Sequence, residues 1–369
     1  MEKYKIIKQL GGGSYGVVKQ WKNTTTGEIV AIKQLKDTFQ KWNTCVDLAE
    51  VKSLAKLNHP NIIRLLEVIK QNNNLYLVFE YMDSNLFQMT TNRKNIPEYE
   101  IRNIVFQILQ GIYYMHRMGY MHRDIKPENI LEFKGIVKIA DFGLAKTMNA
   151  GRPLTEYIST RWYRAPELIL SSNEYDCKID IFAIGCIVSE LYTSKPLFNG
   201  ANQQDQIAKV LNILGTPNIL EWEEGYRLAK KLNFTLPSYK KQSLKDIIPT
   251  ANEDAIDLIS KMLIFDSKKR ISALEALQHQ YFSVDIPMTV STDQTARILD
   301  TNLSKPDLSS KPMAGPAKPS QLMPSEDMSA QQQRDESKKK IQSTKHYIMK
   351  ARYKKGVNIQ EILKQQQGV

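Results

Sequence analysis

Five short motifs stand in one order along this chain, and together they restrict its fold more than its composition does. They are Gly11-Gly12-Gly13-Ser14-Tyr15-Gly16 followed by Val17 and Val18, Val30-Ala31-Ile32-Lys33, the run His122-Arg123-Asp124-Ile125-Lys126-Pro127-Glu128-Asn129, Asp141-Phe142-Gly143, and Ala165-Pro166-Glu167. Any one of them alone has a bland reading: a flexible turn, a solvated strand lysine, a chance tripeptide. As an ordered and spaced set they do not. The glycine run falls between two strand-like segments. A dinucleotide-binding fold needs a helix after its glycines. A loop between antiparallel strands can instead close over a triphosphate, with backbone N–H groups near the phosphate oxygens.

The remaining motifs supply chemistry suited to such a site. Lys33 lies in an apolar Val-Ala-Ile frame and can pair the α- and β-phosphates of a nucleotide, and Glu50 on the following helix is the candidate carboxylate to hold it. Asp124 is placed to accept the proton of a substrate hydroxyl, and Lys126 to neutralise charge on a moving phosphoryl group. Asn129, five residues after Asp124, and Asp141, twelve after Asn129, are candidate metal ligands.

Hydrophobic periodicity divides the chain. Segments 4–10, 17–21 and 28–34 read as strands, with glycine and Asn-Thr-Gly turns between them. Residues 46–57 carry Val46, Ala49, Leu54 and Leu57 at helical spacing until His59-Pro60-Asn61 stops them. Strand-like runs follow at 62–68 and 75–81. Beyond Asp83 the pattern turns helical. Ile104, Ile108, Ile112 and Met115 mark an amphipathic helix over 101–116; 181–192 is apolar all round, as in a buried helix; 255–263 and 273–279 read as surface helices. The predicted class is α+β in two lobes: a small β-rich lobe at 1–82 with one key helix, and a larger helical lobe at 83–283. Residues 313–337 are rich in Pro, Ser, Gln and Met, three Lys-Pro steps recur at 305–319, and 284–340 reads as a disordered linker, with 341–369 as a basic tail segment. A length of 369 residues suits two packed lobes.

The net charge of +12 is concentrated in that tail, where residues 337–369 hold nine Lys/Arg against Glu361 alone. A basic tail on a nearly neutral body argues against a nucleic-acid-binding core. The three cysteines, Cys45, Cys177 and Cys186, show no paired spacing and read as reduced thiols. The longest apolar stretch, 181–191, falls short of the roughly 20 residues that span a bilayer. Met1-Glu2-Lys3-Tyr4 begins no apolar signal segment. These features lead us to expect a soluble, intracellular protein with no transmembrane segment.

Over residues 4–282 the sequence resembles the eukaryotic protein kinases. Lys126 resembles the catalytic-loop lysine of the serine/threonine type, and Ser159-Thr160-Arg161-Trp162-Tyr163-Arg164-Ala165-Pro166-Glu167 resembles the group of MAP kinases and cyclin-dependent kinases. Within it, Glu50-Val51-Lys52-Ser53-Leu54, Phe79-Glu80-Tyr81-Met82, Ile101-Arg102-Asn103-Ile104, Phe39-Gln40-Lys41-Trp42 and the tail segment at 345–353 resemble the male germ cell-associated and intestinal cell kinase family. The resemblance implies a bilobal fold and Mg2+-dependent use of ATP. Catalysis would fall to Asp124, Lys126, Lys33 and Glu50, with the metal on Asn129 and Asp141. ATP would lie among Leu10, Gly11, Gly12, Gly13, Ser14, Tyr15, Gly16, Val17, Val18, Ala31, Lys33, Phe79, Glu80, Met82 and Leu131. Phe79 would be the gatekeeper, and the Glu80 and Met82 backbones would bond the adenine edge. Leu54, Leu65, His122 and Phe142 would stack as an apolar column.

The resemblance also implies regulation. Thr155-Glu156-Tyr157 resembles the doubly phosphorylated lip of MAP kinases, with Arg123 and Lys146 receiving phosphothreonine 155, and Arg161 and Arg164 receiving phosphotyrosine 157. Relatives carry an arginine immediately before the helix glutamate where this chain has Ala49, so phosphorylation of Thr155 is predicted to add less activity here. The implied partners are protein substrates with Ser/Thr-Pro sites and an upstream activating kinase, and the chain is expected to be a monomer. Apolar residues returning at 341–364 among lysines suggest a tail-binding partner. The family implies a place in cytoplasm, cilium or flagellum, and nucleus, with a role in cilium length. Two alternatives are a catalytically silent scaffold, marked by loss of Lys33, Asp124, Asn129 or Asp141, none of which is lost, and nucleic-acid binding through the tail.

Overall fold

A computed structural model describes residues 1–12, 16–39, 44–45, 47–148 and 160–283. The glycine-loop tip at 13–15, the lip residues Thr155, Glu156 and Tyr157, and the linker and tail lie outside these residues.

Among the described residues up to Glu80, five strands form an antiparallel sheet in the order β1-β2-β3-β5-β4. Its strands are β1 (Tyr4–Gly12), β2 (Gly16–Asn23), β3 (Ile29–Leu35), β4 (Leu65–Gln71) and β5 (Asn74–Glu80). Side chains alternate across a pleated strand, and β3 and β5 use both faces. Val30, Ile32 and Val78 build a small cluster on one side with Trp21 and Tyr76. Ala31 and Lys33, opposite Phe79 and Leu77, occupy the other side with Val18, which is paired to Lys33. Gly16 is required at the start of β2: a Cβ there would sit 2.3 Å from the Gln34 carbonyl oxygen.

Helix α1 (Ala49–Lys56) begins three residues later than the apolar spacing suggested and has no side-chain N-cap; Val46 lies outside the described residues. The strand expected at 62–68 starts at Leu65 instead. Ile62 and Ile63 are buried, as their apolar character implies, but they pair elsewhere. Ile62 bridges to Ile139, and the Ile63 N–H donates to the Ile139 carbonyl at 2.9 Å, tying the sheet region to the helical region.

The larger region is built on helices α2 (Leu86–Asn92), α3 (Glu98–Arg117), α4 (Pro166–Ile169) and α5 (Lys178–Thr193). Helix α3 starts after Pro97, with Glu98 and Glu100 in its first turn and His116 and Arg117 in its last, matching the helix dipole at both ends. Helix α5 is buried from Ile179 through Tyr192, as a segment apolar all round should be. Gly111 lets α3 approach closely; a Cβ there would meet the Asn61 carbonyl oxygen at 2.9 Å. Short strands β6 (Ser84–Asn85), β8 (Ile130–Phe133) and β9 (Ile136–Ile139) form one sheet, and β7 (Tyr120–Met121) pairs with β10 (Lys146–Thr147). These strands fix the loops that carry residues 122–129 and 141–143. Arg270, fully buried, clamps Glu167 through two hydrogen bonds of 2.8 and 3.0 Å and donates further to the Lys178, Ile264 and Phe265 carbonyls. Every arm of that guanidinium is used, as a buried cation demands. Architecture and class match the bilobal α+β expectation.

Candidate active site

Two separate segments converge on Lys33. Its Nζ donates to Glu50 Oε2 at 2.8 Å and Oε1 at 3.1 Å, and to Asp141 Oδ1 at 3.1 Å. Burial works against the ammonium, but Glu50 and Asp141 outweigh it and hold the Lys33 pKa above the ordinary lysine value. Asp141 is held low: burial opposes its charge, and Lys33 prevails. Asp141 itself has φ +61°, a left-handed backbone uncommon outside glycine.

The loop from His122 to Asn129 folds back on its own aspartate. Lys126 Nζ donates to Asp124 Oδ2 at 2.7 Å; Asn129 Nδ2 donates to the Asp124 carbonyl at 2.8 Å and to Oδ2 at 3.1 Å. The amide hydrogens of Asn129 are thereby committed, so its carbonyl oxygen is the atom that could face a metal ion. One carboxylate and one amide oxygen fit Mg2+, a hard cation that fills its remaining positions with water and phosphate oxygens. Among the described residues no group of three or more His, Cys, Asp or Glu gathers as a cage.

Beneath the loop lies a residue that sequence reading missed. Asp180 of α5, only 1% exposed, accepts the His122 and Arg123 backbone N–H groups, each at 2.9 Å, and the His116 ring at 2.9 Å. Burial disfavours a charged imidazole, yet the hydrogen bond and charge of Asp180 push His116 up to about 9. The available signal was an acid in the first turn of a helix whose next residues, 181–188, are apolar on every side.

The implied nucleotide residues are placed as follows. Gly11 and Gly12 end β1 opposite Val18 and Val17, and Leu10 precedes them. Val18, Ala31 and Phe79 share a face with Lys33. Met82 is buried, and Leu131 on β8 is packed against the core. The Glu80 side chain points away, accepting from the Arg64 N–H at 2.8 Å and pairing with Lys138 at 2.9 Å. His122 and Phe142, both fully buried, stack edge-on at 5.1 Å; Leu54 is buried, and the half-buried Leu65 packs against the same core.

On the opposite flank, Asp124, Lys126, Thr160, Tyr163 and Arg164 line a small cleft. Burial and Arg161 lower the Arg164 guanidinium. Tyr163 donates to Glu190 Oε2 at 2.7 Å. Burial and the nearby Glu128 push Glu190 up to about 7. Glu128 Oε2 is buried with no hydrogen-bond partner among the described residues. Lys146 sits on β10 beside Met121.

The protein kinase domain family matches residues 4–282. Serine/threonine-protein kinase ICK of Rattus norvegicus is 48% identical over 299 residues, which is 80% of this chain and 48% of the relative. Serine/threonine-protein kinase MAK of Homo sapiens is 46% identical over 324 residues, 87% of this chain and 52% of the relative. A probable serine/threonine-protein kinase of Dictyostelium discoideum is 48% identical over 294 residues, 79% of this chain and 58% of the relative. The chain thus spans about half the length of the curated relatives it matches. No helix among the described residues is long and apolar enough to cross a membrane.

Proposed function

The chain belongs to the protein kinase family, and from that premise we propose that it transfers the γ-phosphoryl group of ATP to serine or threonine hydroxyls of proteins. The observation that carries this is the convergence of Glu50 and Asp141 on Lys33, beside a loop in which Asn129 and Lys126 fix Asp124. Lys33 orients the α- and β-phosphates. Asp124 takes the hydroxyl proton as the new O–P bond forms and the bond from the γ-phosphorus to the β,γ-bridging oxygen breaks, leaving ADP. Lys126 balances the charge on the moving group. Bound through Asp141 and Asn129, Mg2+ would supply charge neutralisation at the phosphates. Catalysis is then positioning and electrostatics.

We further propose that the target serine or threonine is followed by proline. Arg164 resembles the arginine that, in the MAP kinase and cyclin-dependent kinase group, occupies the backbone carbonyl to which the next residue's N–H would donate. Proline has no N–H to leave unpaired. The family resemblance also favours an Arg-Pro pair upstream of the target. The crowding of Arg161 on Arg164 suits an anion such as phosphotyrosine 157, and phosphothreonine 155 falls to Arg123 and Lys146. Lobes at 1–82 and 83–283, a tail at 341–369 that captures a partner, monomeric state and a role at cilia or flagella belong to the same reading.

Lys33→Arg and Asp141→Asn are each expected to lower peptide phosphorylation by at least about a thousandfold, in the range of losing a main transition-state contact, with little change in thermal midpoint. Near-normal turnover in either variant overturns the mechanism. Equal rates on matched peptides with Ala or Pro after the target overturn the specificity.

A further inference from the structure

Arg123 stands one residue before Asp124 with φ +71°, a backbone angle that persists in a non-glycine residue only where the surroundings fix it. Part of the fixing is the Asp180 carboxylate on its N–H. The rest is at the guanidinium. Nε donates to the Leu144 carbonyl at 2.7 Å, and Nη1 donates to the Tyr175 hydroxyl at 2.9 Å. Leu144 closes the short turn that follows Asp141. Tyr175 lies in the approach to α5, five residues before Asp180. One side chain therefore joins the loop of Asp124, the turn of Asp141 and the approach to α5.

Both acceptors are neutral oxygens of the chain itself. In the regulatory reading above, this same guanidinium receives phosphothreonine 155 together with Lys146, in a site where Ala49 stands in place of one of the usual cations. A phosphate orders a loop by giving an arginine a fixed acceptor. Here Tyr175 already gives Arg123 one. A guanidinium held at two points has lost most of its rotamer freedom, so a third partner has less left to order.

We propose that Tyr175 is a positioning residue: its hydroxyl holds Arg123 in working geometry and keeps Asp141 in register with Asp124 before Thr155 is phosphorylated. The inference rests on Thr155 being the activating site. Its consequence is a kinase with a raised basal rate and a small gain on phosphorylation.

Tyr175→Phe removes the acceptor and keeps the ring. The full chain, wild type and variant, is prepared in two forms: fully dephosphorylated, and carrying genetically encoded phosphothreonine at position 155. Tyr157 is kept dephosphorylated in both by a tyrosine phosphatase. In the dephosphorylated form the variant's kcat is expected to fall about tenfold, and in the phosphothreonine form less than about twofold, so that phosphorylation rescues the lost contact. The thermal midpoint should stay within about 2 °C. A purely structural tyrosine would lower both forms by the same factor. An equal fall in both forms, or no fall in either, overturns the proposal. A wild-type chain that gains nothing from phosphothreonine 155 counts against Thr155 as its activating site. Tyr175 then still stands or falls on whether phosphothreonine rescues the variant.

Discussion

Lys33 and Asp180 are both buried charged groups serving neighbouring parts of one site, yet they are held differently. Lys33 is 12% exposed at its side chain, and one of its partners, Asp141, is 36% exposed. Its other partner rides on an eight-residue helix without a side-chain cap. Asp180 is 1% exposed within a sixteen-residue helix packed on every side, and its three donors come from two neighbouring stretches of chain. The first arrangement depends on three separate segments meeting; the second is set once the helical region has folded. Charge placed on a short, uncapped helix can be withdrawn and restored, which suits control. Charge sealed in the core cannot, which suits a loop whose geometry must not change.

Breaking the sealed side should cost most. Asp180→Ala leaves two backbone N–H groups without an acceptor and deprives His116 of its counter-charge, and removing one partner of a buried pair costs about 3–5 kcal/mol. Both the thermal midpoint and the peptide-phosphorylation rate are expected to collapse together. A well-folded, inactive variant would show that Asp180 matters to chemistry and not to the fold. Breaking the adjustable side should separate the two readouts. Glu50→Gln keeps the volume but weakens the hold on Lys33, and should lower kcat/KM by about 100-fold with little loss of thermal stability. Parallel losses would erase the contrast.

Acidity sharpens the same comparison with a smaller effect. The folded chain keeps His116 protonated up to about 9, against 6.5 for an ordinary histidine. Between those values the folded state binds more protons than the unfolded one. That contribution to stability is fully present below pH 6.5 and is lost as pH rises through about 9. The thermal midpoint should fall by several degrees from pH 7 to pH 9.5, and His116→Gln should flatten the slope. An unchanged slope in that variant would place the titrating group elsewhere.

The fold and the groups gathered in the candidate site were largely legible because their signals are local. Lys33, Asp124, Asn129 and Asp141 sit in contiguous motifs, and the alternation of Val30, Ala31, Ile32 and Lys33 already separates core from site. The supporting residues left weaker traces. Asp180 reaches across 57 and 58 residues to Arg123 and His122, and Arg270 across 103 to Glu167; no local period encodes such pairs. The misplaced start of β4 has the same origin. Ile62 and Ile63 are apolar and β-branched, as in a strand, but the strand that claims them is β9. Tyr175 carried no signal at all, since a lone tyrosine before a helix is unremarkable until Arg123 is seen beside it.

The buried clamp of Arg270 on Glu167 bears on how the protein is made. A ribosome delivers Glu167 long before Arg270, and until then the glutamate has no counter-charge in the place it must occupy. Domains settle as they emerge, but this one cannot close around residue 167 while position 270 is still in the exit tunnel. The same holds for Arg102, whose Nε waits for the carbonyl of Tyr281. The helical region is therefore obliged to fold late, after nearly all of residues 1–283 have been synthesised. A nascent chain arrested a few residues short of Arg270 should remain protease-sensitive throughout that region, and one released just past Tyr281 should not.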